Sequence, residues 1–319
     1  MAGYLVTGGC GFIGSHLCAA LLDRGHTVRV LDDLSTGSES NLMPGATLVC
    51  ADVSEPAAVR EAMEDMDGCF HLAAIASVQR GMLDWPGTNR TNLAGAIAVL
   101  DAARSRRVPV VYASSAAVYG DCASLPISED APTRPLSAYG ADKLGCELHA
   151  RVAGAVHGIP TLGLRFFNVF GPRQNPLSPY SGVISIFCDR LRRDEAVTIH
   201  GDGGQTRDFV PVAQVVAALL AAMRGASVEA PVLNVCTGRP TSVLSLASIV
   251  GEVCGTRPKV EHGPPRLGEI RHSLGDPRRA GMALGLSDPG SLRDGLAEVV
   301  AWMDAVQPDR GRPVISQTV

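Results

Sequence analysis

Tyr139 and Lys143 lie four residues apart, so on a helix their side chains share one face. A tyrosine is a poor base at neutral pH because its ordinary pKa is about 10. A neighbouring ammonium stabilises the phenolate and makes proton abstraction accessible. Ser114 and Ser115 follow the apolar run 108–113, and we expect the Ser115 hydroxyl to hydrogen-bond the alcohol that gives up its proton. Tyr-x-x-x-Lys alone is common on helix surfaces, so this chemistry requires a hydride acceptor beside the pair.

A glycine-rich turn near the start of the chain predicts such an acceptor. Gly8, Gly11 and Gly14 follow a strand expected at Tyr4–Thr7 and open a helix expected over about 13–24. The spacing gives a tight turn, a close backbone approach to a diphosphate, and a helix N-terminus that faces the phosphates. We therefore predict a dinucleotide site.

The second expected strand, 26–31, identifies the dinucleotide. It ends in Asp32 and Asp33, about 20 residues beyond the turn. A carboxylate there accepts hydrogen bonds from both ribose hydroxyls and repels a 2′-phosphate, so NAD is favoured over NADP. The positive nicotinamide ring would reinforce the lysine, and the sequence predicts hydride transfer between NAD and an alcohol.

Strands that alternate with helices organise the first half of the chain and predict an α/β fold, a doubly wound parallel sheet of the Rossmann type. Gly, Pro, Ser and Asn are concentrated in 171–182, 200–211 and 256–268, where we expect loops over a site and no regular sheet. The further expected strands are 47–50, 68–72, 108–113 and 161–166, and the further helices are 92–104 and 138–157.

The bulk composition excludes several classes of partner. With 46% hydrophobic and 19% charged residues, the 319-residue chain is typical of a globular protein with a large core. The net charge of −4 gives no reason to expect nucleic acid or an acidic membrane surface as a partner. The longest apolar run, 212–223, is too short to span a bilayer and predicts a buried helix.

The cysteines indicate a reducing compartment. Nine are scattered without C-x-x-C spacing, which is typical of reduced thiols and predicts no metal site. No basic stretch followed by an apolar core opens the chain, so we expect no secretory signal and a cytoplasmic location.

Several further motifs resemble the NAD-dependent nucleotide-sugar epimerase/dehydratase family of the extended short-chain dehydrogenases/reductases. The resemblance covers nearly the whole chain and rests on the glycine turn, Asp52-Val53, 71–74, Asn92 with Gly95, 114–120, Tyr139-x-x-x-Lys143 and 165–172. It implies that Ser115, Tyr139 and Lys143 are catalytic. The cofactor-binding residues implied by turn and resemblance together are Gly8, Gly11, Phe12, Ile13, Gly14, Asp32, Asp33, Ser35, Thr36, Gly37, Asp52, Val53, Leu72, Ala73, Ala74, Asn92, Ser114, Tyr139, Lys143 and Phe166.

The resemblance also implies a second, smaller α/β domain that holds a nucleoside diphosphate sugar. We expect the NAD-binding domain to comprise 1–166 and about 210–240, and the substrate domain 167–209 and 241–319. Arg207 and Arg266 resemble two arginines that pair with the diphosphate, a role that suits a planar guanidinium. The substrate-binding residues so implied are Ser77, Ser115, Tyr139, Asn168, Arg207, Arg266, Glu269 and Ser273. Relatives commonly dimerise through a four-helix bundle, here expected from helices at about 92–106 and 138–157.

Ala116 and Ala117 discriminate among the reactions of the family. Dehydratases and decarboxylases of the family place acidic residues in this slot, and the cysteine and histidine of the 3,5-epimerase/reductases are also missing. The resemblance therefore favours 4-epimerisation of a UDP-hexose through a 4-keto sugar. Ser273 aligns with a position where UDP-glucose 4-epimerases restricted to plain hexoses carry tyrosine. A serine leaves room for an N-acetyl group, so UDP-GlcNAc and UDP-GalNAc are expected substrates beside UDP-Glc and UDP-Gal.

Other functions stay open on the sequence. UDP-glucuronate 4-epimerases often have threonine where this chain has Asn168. A net NAD-dependent reductase would consume NADH and a dehydratase would eliminate water, whereas an epimerase does neither. A non-catalytic NAD-sensing regulator keeps the fold but typically loses the tyrosine or the lysine, and this chain has both.

Overall fold

The computed structural model describes residues 1–174, 182–265 and 270–306. Its strands are β1 (Gly3–Thr7), β2 (Thr27–Asp32), β3 (Thr47–Cys50), β4 (Gly68–His71), β5 (Val110–Ser115), β6 (Thr161–Phe166), β7 (Asn168–Phe170), β8 (Val197–His200), β9 (Thr206–Pro211), β10 (Val232–Val235), β11 (Pro240–Ser242) and β12 (Val260–Gly263). Its α-helices are α1 (Phe12–Leu22), α2 (Pro56–Met63), α3 (Val78–Leu83), α4 (Trp85–Asn89), α5 (Gly95–Ala103), α6 (Ala138–His157), α7 (Val183–Leu191), α8 (Val212–Gly225), α9 (Val243–Cys254), α10 (Arg278–Leu284) and α11 (Leu292–Val306). A π-helical turn, Arg90–Ala94, leads into α5, and short 3₁₀ turns lie at Glu39–Asn41 and Ala116–Val118.

The central sheet has seven parallel strands in the order β10-β6-β5-β4-β1-β2-β3. Successive strand residues point to opposite faces, so Leu5 and Val6 of β1 enter different cores. One core packs α1 and α8 against the sheet, and the other packs α2 and α5. This arrangement confirms the predicted doubly wound α/β fold. The strand order reverses between β1 and β4, and ligands bind at such a switch point beyond the carboxyl ends of the strands.

The later part of the chain builds two smaller sheets and a third core. One sheet has the order β11-β9-β7 and the other pairs β12 with β8. Apolar residues of α7, α9 and α11 form the core beside them. β10, which follows α8, returns to the large sheet beside β6. The division into two domains that we expect from the sequence stays a prediction.

The prediction of irregular structure at 200–211 and 256–268 was wrong, because each segment contains a strand. Gly201 and Gly203 have positive φ values of 75° and 77°, so the glycines make the turn that precedes β9. Phe209 and Val210 then bury their side chains within β9. The composition of the whole segment 200–211 therefore did not indicate β9, a short strand that is stabilised by tertiary packing.

No helix within residues 1–174, 182–265 and 270–306 is long and apolar enough to cross a membrane. α8 contains the apolar run 212–223 and is a buried helix, as predicted: Val215, Ala218 and Leu219 are completely inaccessible to solvent.

Candidate active site

The turn between β1 and α1 has space only for glycine at positions 8 and 14. Gly8 has a φ of +72°, and a Cβ atom there would lie 2.7 Å from the Ala73 nitrogen. A Cβ on Gly14 would lie 2.1 Å from the Gly8 carbonyl oxygen, so α1 packs directly onto the turn. The backbone is consequently open to a diphosphate at the start of α1, and the residues fit a dinucleotide cofactor.

This turn opens into a cleft of about 380 Å³ at the switch point between β1 and β4. Most of the predicted cofactor-binding residues line it, namely Gly8, Gly11, Phe12, Ile13, Gly14, Asp32, Asp33, Ser35, Thr36, Gly37, Asp52, Val53, Leu72, Ala73 and Ala74, together with Ser77. Asn92, Ser114, Tyr139, Lys143 and Phe166 are not among its lining residues.

Asp32 lies in the cleft, where we predict that it contacts the adenosine ribose. Its Oδ2 accepts a hydrogen bond from the Cys10 amide and its Oδ1 from the Leu34 amide, both at 2.9 Å. Burial raises the pKa of this carboxyl, and the two amides oppose the rise. Each oxygen keeps a second lone pair for a ribose hydroxyl. Asp33 is exposed, and its Oδ1 accepts from the Ser35 amide and hydroxyl.

The loop after β4 is held in place by Thr7, the last residue of β1. Thr7 Oγ1 accepts from the Leu72 and Ala73 amides, and its hydroxyl hydrogen is left for His71 Nδ1 at 2.8 Å. Burial, with the charge of Lys143, lowers the pKa of His71 to about 3, so the ring is neutral at physiological pH. The loop therefore presents its backbone to the cleft in a fixed position.

Asn92 holds the next part of the same loop. Its Oδ1 accepts from the Ile75 amide at 2.7 Å, and its Nδ2 donates to the Ile75 carbonyl at 3.2 Å. The side chain is completely buried within the π-helical turn before α5. Asn92 thus shapes the cleft through Ile75, and its direct contact with the cofactor stays a prediction.

The three predicted catalytic residues come from the end of β5, which contains Ser115, and from α6, which contains Tyr139 and Lys143. Lys143 is 1% exposed, and its Nζ donates to the Ala113 carbonyl at 2.9 Å and lies 5.9 Å from the centre of the Tyr139 ring. Ala113 itself lines the cleft, which connects the pair to the cofactor site. Ser115 Oγ accepts from the Ala117 amide at 3.1 Å, so its own hydrogen is left for a ligand oxygen.

A buried polar network lies directly beneath these residues; it comprises Ser114, Tyr119, Glu147, Arg165 and Asn234. Arg165 donates to both carboxylate oxygens of Glu147, at 2.8 and 2.7 Å, and to the Tyr119 hydroxyl at 2.7 Å. Ser114 donates to Glu147, and Tyr119 donates to the Asn234 amide oxygen at 2.7 Å. The hydroxyl hydrogen of Ser114, a predicted cofactor-binding residue, is therefore already donated to another side chain of the protein, that of Glu147.

The predicted substrate residues are only partly brought together. Ser273 is half-buried, and its amide donates to the Thr206 carbonyl at 3.1 Å, next to Arg207. Arg207 Nη1 donates to the same Thr206 carbonyl at 2.9 Å. Asn168 is exposed at the start of β7, after Phe166 ends β6. The predicted residues Arg266 and Glu269 lie outside the described residues.

Several residues of the cleft escape prediction from the sequence. Ile75 and Ala76 continue the 71–74 motif, and Arg173 and Gln174 follow directly on the 165–172 motif, so extending each motif would have found them. Thr91 and Arg80 come from the helical segments after the loop, and no local pattern marks them. The remaining lining residues are Leu31, Ser38, Asn41, Ala51 and Ala113.

A glycine turn at the switch point of a parallel sheet, with a tyrosine and a buried lysine beside it, defines a dinucleotide-dependent enzyme of the Rossmann class. Residues 4–236 match the model of the NAD dependent epimerase/dehydratase family. The chain belongs to this family, which confirms the resemblance inferred from its motifs, and its cofactor is NAD.

Individual relatives agree over almost the full length. A putative UDP-glucose 4-epimerase of Methanocaldococcus jannaschii is 36% identical over 302 residues, which are 94% of this chain and 97% of that protein. The crystal structure of the UDP-glucose 4-epimerase of Thermotoga maritima with UDP-glucose has a TM-score of 0.92 at 34% identity and covers 95% of this chain and 99% of its own. The UDP-N-acetylglucosamine 4-epimerase of Methanobrevibacter ruminantium, in complex with UDP-N-acetylmuramic acid, has a TM-score of 0.91 at 33% identity, with 96% and 99% covered.

Proposed function

We propose that this enzyme interconverts UDP-hexoses that differ in configuration at C4, through a transient 4-keto sugar. The observation that carries the proposal is the catalytic cluster itself: Ser115, Tyr139 and Lys143 are present, while the turn that follows Ser115 holds only Ala116 and Ala117. These alanines supply no extra acid or base for elimination or decarboxylation. Relatives named as UDP-sugar 4-epimerases support the same assignment.

The roles of the three residues follow from their contacts. Tyr139 takes the proton of the C4 hydroxyl, and the adjacent Lys143 ammonium stabilises the phenolate that does so. Ser115 donates the hydrogen that its Ala117 contact leaves free and orients the sugar oxygen. Bound NAD supplies the chemistry of accepting a hydride from C4 and returning it. Between the two transfers the 4-keto sugar turns over, so that its opposite face receives the hydride; Tyr139 then gives the proton back to the oxygen, and the C4 epimer leaves without net oxidation.

The experiment is turnover of the purified protein with UDP-Glc, UDP-Gal, UDP-GlcNAc, UDP-GalNAc and UDP-glucuronic acid, with products separated by chromatography. We expect conversion within each C4 pair and no net formation of NADH. Conversion of UDP-glucuronic acid alone would instead assign a UDP-glucuronate 4-epimerase. Decarboxylated or dehydrated products, stoichiometric use of NADH, or no turnover of any sugar would contradict the proposal.

Ser273 is proposed to admit the N-acetyl group. The side chain is small, half-buried, and fixed beside Arg207 by the hydrogen bond of its amide to Thr206. Ser273→Tyr should lower kcat/KM for the N-acetylated sugars by about tenfold or more, the effect of overfilling a packed site, and leave UDP-Glc nearly unchanged. Ser273→Ala is the matched control and should keep all activities. The proposed role of Ser273 is wrong if the parent enzyme does not convert UDP-GlcNAc, or if Ser273→Tyr converts it as well as the parent enzyme does.

We also propose that two copies associate through α5 and α6. Leu148, Val152 and Val156 recur every four residues on α6 and are 58%, 52% and 68% exposed, and Ile97 on α5 is 39% exposed. Such an apolar stripe is typical of an interface between helices. Val152→Glu should shift the mass measured by light scattering from two chains to one. Met282→Glu, which alters an apolar residue on α10 that is still more exposed (82%), should leave the mass unchanged; a monomeric parent protein would refute the interface.

The cysteines support a location in the reducing cytoplasm. Six of the nine cysteines are buried. Burial raises the pKa of Cys18 to about 12, which keeps it an unreactive thiol.

A further inference from the structure

The segment Gly171–Gln174, which ends the 165–172 motif and continues past it, lies against the start of α1. His16 Nε2 donates to the Pro172 carbonyl at 2.9 Å. A Cβ on Gly171 would lie 3.4 Å from the Phe12 ring and 2.4 Å from Val212 Cγ1, so this backbone packs tightly. The segment is therefore fixed at the end of α1 that adjoins the glycine turn.

Arg173 occupies a conformation that its own preferences disfavour. Its φ is +67°, in the left-handed region that side chains other than glycine rarely adopt. Such a conformation persists where the surroundings determine it, and it is concentrated at functional sites. Arg173 and Gln174 both line the cleft that contains Gly8, Gly11 and Asp32.

The charge of Arg173 is not neutralised within the part of the chain that the structure describes. There, its guanidinium makes one hydrogen bond, from Nη1 to Met43 Sδ at 3.8 Å, and sulfur is a weak acceptor. The buried carboxylate of the same cleft, Asp32, accepts from the amides of Cys10 and Leu34. A guanidinium has five N–H donors, so Arg173 offers the cleft a positive charge, and most of its donors have no partner among the described residues.

We propose that Arg173 binds the diphosphate of NAD from the side opposite the glycine turn. The diphosphate is the anionic part of this cofactor, and the glycine turn places it at the N-terminus of α1, where Pro172 and Arg173 are held. A guanidinium pairs with phosphate oxygens through two parallel hydrogen bonds. Asp32 and Asp33 disfavour a 2′-phosphate at the adenosine end, which leaves the diphosphate as the anion for Arg173. The contact would fix NAD between segments from both halves of the chain.

The test is the affinity of nucleotide-free, full-length protein for NAD, ADP and adenosine, measured by calorimetry. Arg173→Met should weaken NAD and ADP by about tenfold or more, the effect of losing hydrogen bonds between charged groups, and leave adenosine within about twofold. Arg173→Lys keeps the positive charge but lacks the paired N–H donors of the guanidinium, so its affinity for NAD and ADP should fall less than that of Arg173→Met. Arg224→Met removes one exposed positive charge from α8, beyond the amino ends of the strands, and should change none of the three affinities.

Two results would overturn the assignment. One is an unchanged affinity of Arg173→Met for ADP. The other is an equal loss for adenosine and ADP, which would place Arg173 at the base or ribose. Circular dichroism reports independently whether the variant is folded, and Arg173→Lys applies the same comparison should the methionine variant not fold.

Discussion

Replacing Tyr139 by phenylalanine lowers the turnover number for UDP-sugars by about 10²- to 10⁴-fold, the contribution of a positioned acid–base group. The phenyl ring fills the same space beside Lys143, whose Nζ lies 5.9 Å from the ring centre, but it has no oxygen to accept the C4 proton. Because the substitution removes only the hydroxyl and keeps the ring, the amount of NAD per chain should equal that of the parent protein.

Turnover at saturating substrate and NAD released by denaturation are the two measurements. Tyr4→Phe removes the same hydroxyl from the first strand, where Tyr4 packs against Phe70 and His26, and should retain full activity. If Tyr139→Phe kept a tenth or more of the parent turnover, another group would be the base. If it lost NAD as well, the lower turnover would be explained by the missing cofactor.

Arg165→Met should lower the free energy of unfolding by about 3–5 kcal/mol, because it leaves the carboxylate of Glu147 buried without its counter-ion. Both side chains of this pair are 7% exposed. The Tyr119 hydroxyl also loses a donor in the variant. Denaturation by urea, followed by circular dichroism, measures the change.

Two further variants separate this mechanism from a general loss of packing. Glu147→Gln in the Arg165→Met background removes the unpaired charge, and we expect it to recover part of the lost stability. Arg293→Met breaks an ion pair with Glu252 whose side chains are 55% and 61% exposed, and should cost no more than about 1 kcal/mol. Equal losses for Arg165→Met and Arg293→Met would show that burial of the pair is irrelevant.

The parts of the molecule that the sequence predicts well are those determined by local backbone requirements. Gly8 and Gly14 leave no space for a side chain, and Asp32 ends the strand beside them, so spacing alone located the cleft. Many strands and helices also follow from local periodicity. For example, α6 and β6 have the expected ranges 138–157 and 161–166.

The partners of polar side chains were beyond prediction, since they depend on which segments meet. The amide of Asn92 is directed onto Ile75 and the hydroxyl of Ser114 onto Glu147, and neither pairing has a signature in the sequence. Arg173 enters the cleft only because the segment after β7 folds back onto α1. β9 escaped prediction for a related reason: its burial comes from neighbouring elements and not from its composition.

The return of β10 to the edge of the large sheet has a consequence for how the chain can be divided. β10 covers β6, and Asn234 within it accepts the hydrogen bond of the Tyr119 hydroxyl. A fragment that ended at Phe166 would expose β6 as an unpaired edge and leave Tyr119 without this acceptor. The large sheet is thus not modular: its edge strand β10 comes from a part of the chain that follows β7, β8 and β9, so the sheet cannot be exchanged between proteins by a single cut and splice.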